Sequence, residues 1–259
     1  MNGLRNMASA PASHRATNAR VLSLLEASGK LKGDVLDLGA GGGYFTRMLS
    51  AARERLGIAS GAGIEACDIE GGAFAVDGVN FKLADLNRGL PYPDAAFDAV
   101  VAIEVMEHTR VPYAALGEIA RVLRPGGVLI FSVPNVGHLV SRWAFLWRGH
   151  YQLYPSPSIL PQNAGRICGH ISPLPYQYWH YGLRRAGFAA IALHADRTKR
   201  SATFWAVLAW PFLRLSTARA LRHLARDPKL HVETAAITGE ANGWTALTSR
   251  SLVFVAIKP

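Results

Sequence analysis

The sequence predicts an α/β fold, an open parallel sheet with helices on both faces. Three observations lead there. Short apolar runs alternate with helical patterns from residue 16 to about residue 133. The first apolar run stops at a glycine cluster, where a buried strand can hand over to a helix. Half of the 259 residues are hydrophobic and 18% are charged, which provides a sizeable core and excludes a disordered chain.

Residues 1–15 are small and polar and read as a loose tail. A helix follows over 16–27, with Val21, Leu22, Leu24 and Leu25 at near-helical spacing. Strands are expected at 34–38, 62–67, 79–84, 97–103 and 127–133, and helices at 44–55 and 113–123. Residues 58–77 carry no strong helical pattern, so the second crossover is a weak element. From 138 to 187 the alternation breaks: a helix over 139–148, a loop rich in proline and tyrosine, then a helix over 178–186 closed by Gly187. Two last strands are expected at 188–193 and 251–257. Between them an insertion over about 197–250 has a helical core at 202–225, interrupted at Pro211.

Two cysteines, Cys67 and Cys168, make no disulfide scaffold, and a reducing compartment is expected. The opening residues lack a secretory pattern, and no run of about 18 apolar residues exists to span a bilayer. The expected location is cytoplasmic. Charge is uneven. Residues 1–137 carry 13 Lys/Arg against 14 Asp/Glu, whereas residues 138–259 carry 15 against 4 and hold all six tryptophans. A basic, aromatic second half suits an anionic or lipidic partner. The apolar stretch 202–213, flanked by Arg197, Lys199, Arg200, Arg214 and Arg219, fits either a helix lying on a membrane or one buried in a core or dimer.

The strongest chemical signal is Asp37 followed by Gly39, Gly41 and Gly43. Alternating glycines let the backbone approach a ligand, and the next helix offers unpaired N–H groups. A dinucleotide fingerprint fails: counting from Gly39 its sixth position is Tyr44, and from Gly41 it is Thr46. No lysine is present for a phosphate loop.

The Asp-x-Gly-x-Gly-x-Gly pattern resembles the first motif of class I S-adenosylmethionine (SAM)-dependent methyltransferases. The resemblance extends through Asp68 after the second strand, Asp85-Leu86 after the third, and Ile103-Glu-Val-Met-Glu-His108 after the fourth. That last run is similar to the "EVxEH" signature of the type 11/12 group. Arg124-Pro-Gly-Gly127, Ser132-Val-Pro-Asn135 and Gly169-His-Ile171 continue it. The resemblance implies a three-layer, Rossmann-like sandwich whose seven-stranded sheet is mostly parallel with an antiparallel last strand. It implies a SAM-binding core over 16–137, a lid over 138–187 and a final segment over 188–259 that carries the insertion. Asp37, Gly39, Gly41 and Gly43 would line the methionine end, Asp68 the ribose (with Glu65 and Glu70 as rivals) and Asp85 with Leu86 the adenine. Glu104 would also meet the methionine end.

The expected reaction is direct displacement of the methyl group onto an O or N nucleophile of a small-molecule or lipid-linked acceptor, with peripheral contact at the inner face of a membrane. His170 is the candidate general base, since histidine titrates near neutrality; His138, His150 and His180 are weaker ones. Glu104, Glu107 and His108, with Asn135, also have the donor types of a metal site. The reading adopted has no metal, because a nucleophilic acceptor needs no Lewis acid. A metal-assisted quinone-type O-methyltransferase and a non-catalytic binding subunit are the alternatives. A nucleic-acid substrate is not expected, because Asn135 sits in Val-Pro-Asn and not in a base-extruding Asn/Asp-Pro-Pro-aromatic motif.

Overall fold

The computed structural model describes residues 13–72, 74–160, 166 and 169–259. Most of the expected tail therefore lies outside the described residues, but Arg15, assigned to it, already belongs to a helix. The elements run α1 (Arg15–Ala27), β1 (Val35–Leu38), α2 (Tyr44–Glu54), β2 (Ile64–Asp68), β3 (Asn80–Leu83) and β4 (Phe97–Ile103). A 3-10 turn (Met106–His108), α3 (Pro112–Val122), β5 (Leu123–Pro134), α4 (Leu139–Arg148), α5 (Tyr176–Arg185) and β6 (Ala189–Ala195) follow. The chain finishes with α6 (Arg200–Leu224), α7 (Pro228–Ala241), α8 (Trp244–Thr248) and β7 (Ser251–Ile257).

The seven strands form one sheet in the order β3-β2-β1-β4-β5-β7-β6. β1 to β5 pair in parallel, and β7 enters antiparallel between β5 and β6. The period-two pattern of the strands sorts their side chains onto two faces. Leu36, Leu38, Val100, Leu129 and Phe131 face α3 and α5, where Leu116, Ile119, Trp179 and Leu183 meet them. Val35, Ile64, Val101, Ile130 and Val253 face Val21, Leu25, Phe45 and Leu49 of α1 and α2. Helices thus cover both faces, as the alternation predicts.

Two expectations need correction. Pro211 does not interrupt its helix; α6 is continuous from Arg200 to Leu224. The ring removes one backbone donor, and Val207 and Pro211 are both exposed, so the affected carbonyl faces solvent. The insertion is also more helical than its periodicity suggests, because α7 and α8 follow α6. No described residue between β2 and β3 is helical, which agrees with the weak second crossover.

Candidate active site

Strand order reverses between β1 and β4, the place where open α/β sheets take ligands beyond their strand ends. The loop after β1 lies at this point. Gly39 has φ +76°, and a Cβ there would lie 2.2 Å from Val105 Cγ2, so only glycine fits. Gly41 (φ +51°) is different: a Cβ there would meet nothing within 4 Å, so its face of the loop looks onto open space. Gly43 caps α2 with no side-chain acceptor, so no side chain meets the first N–H groups of that helix. The loop is clamped from β2: Asp68 Oδ2 accepts the Gly41 N–H at 2.8 Å and Oδ1 accepts the Glu70 N–H at 3.2 Å. Of the rivals to Asp68, Glu65 is held by Asn80 (2.9 and 3.0 Å) and Lys82 (3.6 Å), and Glu70 is exposed.

Asp37 lies beneath this loop, 2% exposed. Thr46 donates to it at 2.5 Å, yet burial pushes its carboxyl up to about 7, with the charge of Asp68 adding to the rise. Asp85 accepts both the backbone and side-chain N–H of Asn87 at 2.9 Å and pairs with Arg88 at 3.5 Å. Burial opposes its charge, but those donors and the nearby arginines outweigh it and hold the carboxyl below its usual range. Leu86 is buried in the core beside it.

Glu104 ends β4 at φ +55°, a strained conformation for a side chain of this size. Ser132 on β5 holds it there, accepting its N–H through both carbonyl and hydroxyl and donating to its carboxyl at 3.1 Å. Burial raises Glu104 to about 7, opposed by its bonds to Ser132 and Ser251. One turn on, Glu107 is fully buried, and neither carboxyl oxygen has a hydrogen-bond partner among the described residues. Burial, with Glu104 close by, holds it well above the usual carboxyl range.

The segment before α5 is stitched to this turn. The Glu107 carbonyl accepts the N–H groups of Ile171 (2.9 Å) and Ser172 (3.1 Å), and the Ser172 hydroxyl donates to the Thr109 carbonyl at 2.6 Å. His170 is brought edge-on against His108, ring centres 4.7 Å apart. Nδ1 of His170 meets the Leu153 carbonyl at 2.7 Å and Nδ1 of His108 meets that of Gly169 at 3.1 Å. A carbonyl partner fixes the hydrogen on Nδ1, so the His170 lone pair is on Nε2. Burial lowers His170 to about 4, with His108 contributing. Glu107, His108 and His170 each offer a ligand-type atom within 4.8 Å of the others.

This group has His170 where the alternative read in the sequence had Glu104, and Asn135 does not join it. Its amide donates to the Ala246 and Ser249 carbonyls, at 2.8 and 2.9 Å, and its carbonyl accepts the Gly137 N–H. His138 is likewise structural: it caps α4 by accepting the Ser141 N–H, and burial lowers it to about 3. His150 is exposed, and burial lowers His180. Sequence reasoning missed the cavity of about 390 Å³ beyond β5, lined by Gly137, Arg142, Tyr151, Tyr176, Thr238 and Asn242. Half of that lining comes from the insertion and from α5, whose residues carry no motif.

The family profile described as a methyltransferase domain matches residues 12–193, and the chain belongs to that family. Its fold is that of class I SAM-dependent methyltransferases. A crystal structure of a SAM-dependent methyltransferase from Mesorhizobium loti superposes with a TM-score of 0.56 at 15% identity, covering 96% of this chain and all of the other. The malonyl-[acyl-carrier protein] O-methyltransferase of Serratia marcescens is 37% identical over 110 residues, 40% of either protein. The demethylmenaquinone methyltransferase of Clavibacter sepedonicus is 31% identical over 179 residues, 61% of this chain and 66% of the relative. The chain thus spans well under half the length of the first of these two relatives.

Proposed function

We propose that the chain binds SAM beyond the ends of β1 and β4 and transfers its methyl group to an O or N nucleophile of a small-molecule or lipid-linked acceptor. One observation carries the reading: a left-handed glycine loop, clamped by Asp68 and open at Gly41, lies over a buried Asp37 where strand order reverses. A sulfonium ligand, when bound, supplies an electron-poor methyl carbon. Asp37, Gly39, Gly41, Gly43 and Glu104 would hold its amino-acid end, Asp68 the ribose, and Asp85 with Leu86 the adenine.

The Gly39–Gly43 loop with Glu104 would hold the bound ligand in place while its methyl carbon takes the acceptor's lone pair, with sulfur as the leaving group. The proton lost by the acceptor would pass through His170 Nε2 to solvent: burial lowers this ring to about 4, so it is neutral at physiological pH but too weak a base to keep the proton. Alignment of the two reactants by the lid contributes more than this proton transfer, up to about 7–11 kcal/mol in well-oriented systems.

Titration calorimetry should show binding of SAM or its demethylated product, and Gly41→Trp should abolish it by filling the site. Binding of NADH in place of SAM would overturn the reading. With an acceptor in hand, His170→Ala should lower turnover more than SAM affinity. A metal-assisted version of the reaction is favoured by one feature, the convergence of Glu107, His108 and His170. Chelation separates the two: activity that survives EDTA supports direct transfer, and activity lost and then restored by a divalent cation supports the assisted form.

A further inference from the structure

α6 is 25 residues long yet buries only Ala202, Ala206 and Thr217, and α4 buries only Leu139 and Ser141. Left outside are Trp143, Trp147, Phe204, Leu208, Phe212 and Leu215. Phe204, Leu208, Phe212 and Leu215 recur at the spacing of one helix face. The indoles join the two helices into one patch: Trp143 stacks on Trp147 at 6.5 Å and meets Trp205 at 6.1 Å. Soluble monomers rarely expose a contiguous apolar surface of this kind without a partner.

Charge selects the partner. Residues 138–195 and 197–226 contain no aspartate or glutamate. Asp196, between them, accepts from Thr17 at 2.9 Å and from the Ser251 N–H at 3.0 Å. Arg148, Arg200, Arg214, Arg219 and Arg222 are exposed on or beside the patch. A second copy would set this positive face against itself, which like-charge repulsion opposes. No helix among the described residues is long and apolar enough to cross a membrane. Aromatic side chains rimmed by arginine suit a helix pair lying in the headgroup layer.

We infer that α4 and α6 dock the protein on an anionic lipid surface, with the indoles and Phe212 in the interface and the arginines on the headgroups.

The test is flotation of the full chain with vesicles of phosphatidylcholine, alone or with phosphatidylglycerol. Flotation is expected with the anionic vesicles only, and it should weaken as salt is added. Arg219→Gln with Arg222→Gln should lower the partition coefficient about 25-fold, near fivefold for each charge. Trp147 and Phe212 are 77% and 75% exposed, so Trp147→Ser with Phe212→Ser should abolish flotation and leave the circular dichroism spectrum unchanged. Absence of flotation at every composition overturns the inference, and a dimer mass in light scattering would then assign the patch to a second copy. Calorimetry with SAM on the same samples keeps the two readings apart. Flotation without SAM binding sinks the enzyme and keeps the docking face; the reverse result does the opposite.

Discussion

Asp37 shows what one side chain costs at the floor of such a site. Its strand is buried on both faces, so its carboxyl has no water to turn to, and Thr46 alone does not offset the lost hydration. The folded protein therefore binds this proton more tightly than the unfolded chain does, about 7 against 3.8. Stability from this group is present at low pH and is lost as pH rises from about 4 to about 7, by at most about 4 kcal/mol. Asp37→Asn keeps an acceptor for Thr46 and removes the titration. It should raise the melting temperature at pH 8 while leaving it little changed at pH 4. Equal shifts at both pH values would show that the carboxyl is ionised throughout. The residue types of this site were legible in the sequence, because a carboxylate beside alternating glycines is a sparse pattern. The partners of Asn135 and His138 were not, because both side chains bond to backbone groups that only the fold brings near.

Among the elements, α5 packs closely on α3. A Cβ on Gly182 would lie 2.6 Å from Tyr113 Cδ1 and 2.9 Å from Leu116 Cδ1 on α3, and Leu116 is fully buried. Gly182→Ala should therefore cost about 1–3 kcal/mol despite alanine's better helix propensity. Chemical denaturation measures this directly; an unchanged midpoint would mean that the two helices respace freely. Most elements could be read from periodicity, since their apolar faces meet the sheet. α7 could not: it buries no residue at all and so has no stripe to betray it. Its start is fixed by Asp227, which accepts the N–H groups of Lys229 and Leu230, with Pro228 in the first turn.

At the scale of the whole molecule, the uneven charge became intelligible only with the fold. The near-neutral half builds the sheet from β1 to β5, and the basic half supplies the lid, the insertion and the patch. Alternation of strands and helices predicted a parallel sheet with helices on both faces. It said nothing of strand order, and the antiparallel β7 followed from the family resemblance alone, because pairing partners leave no trace in a single strand's pattern. The position of β7 has a consequence for the order of events during synthesis. Among the described residues β6 lies at the sheet's edge and pairs only with β7, and the exposed flank of β5 waits for the same strand. Residues 196–250 must be translated between the two. At about 5–20 residues per second, the ribosome holds the sheet open for roughly three to eleven seconds, with two unpaired strand edges and the forming α6 patch exposed together. Nascent chains on neighbouring ribosomes would meet at those edges, so the yield of native protein should depend on how quickly the final seven-residue strand is delivered.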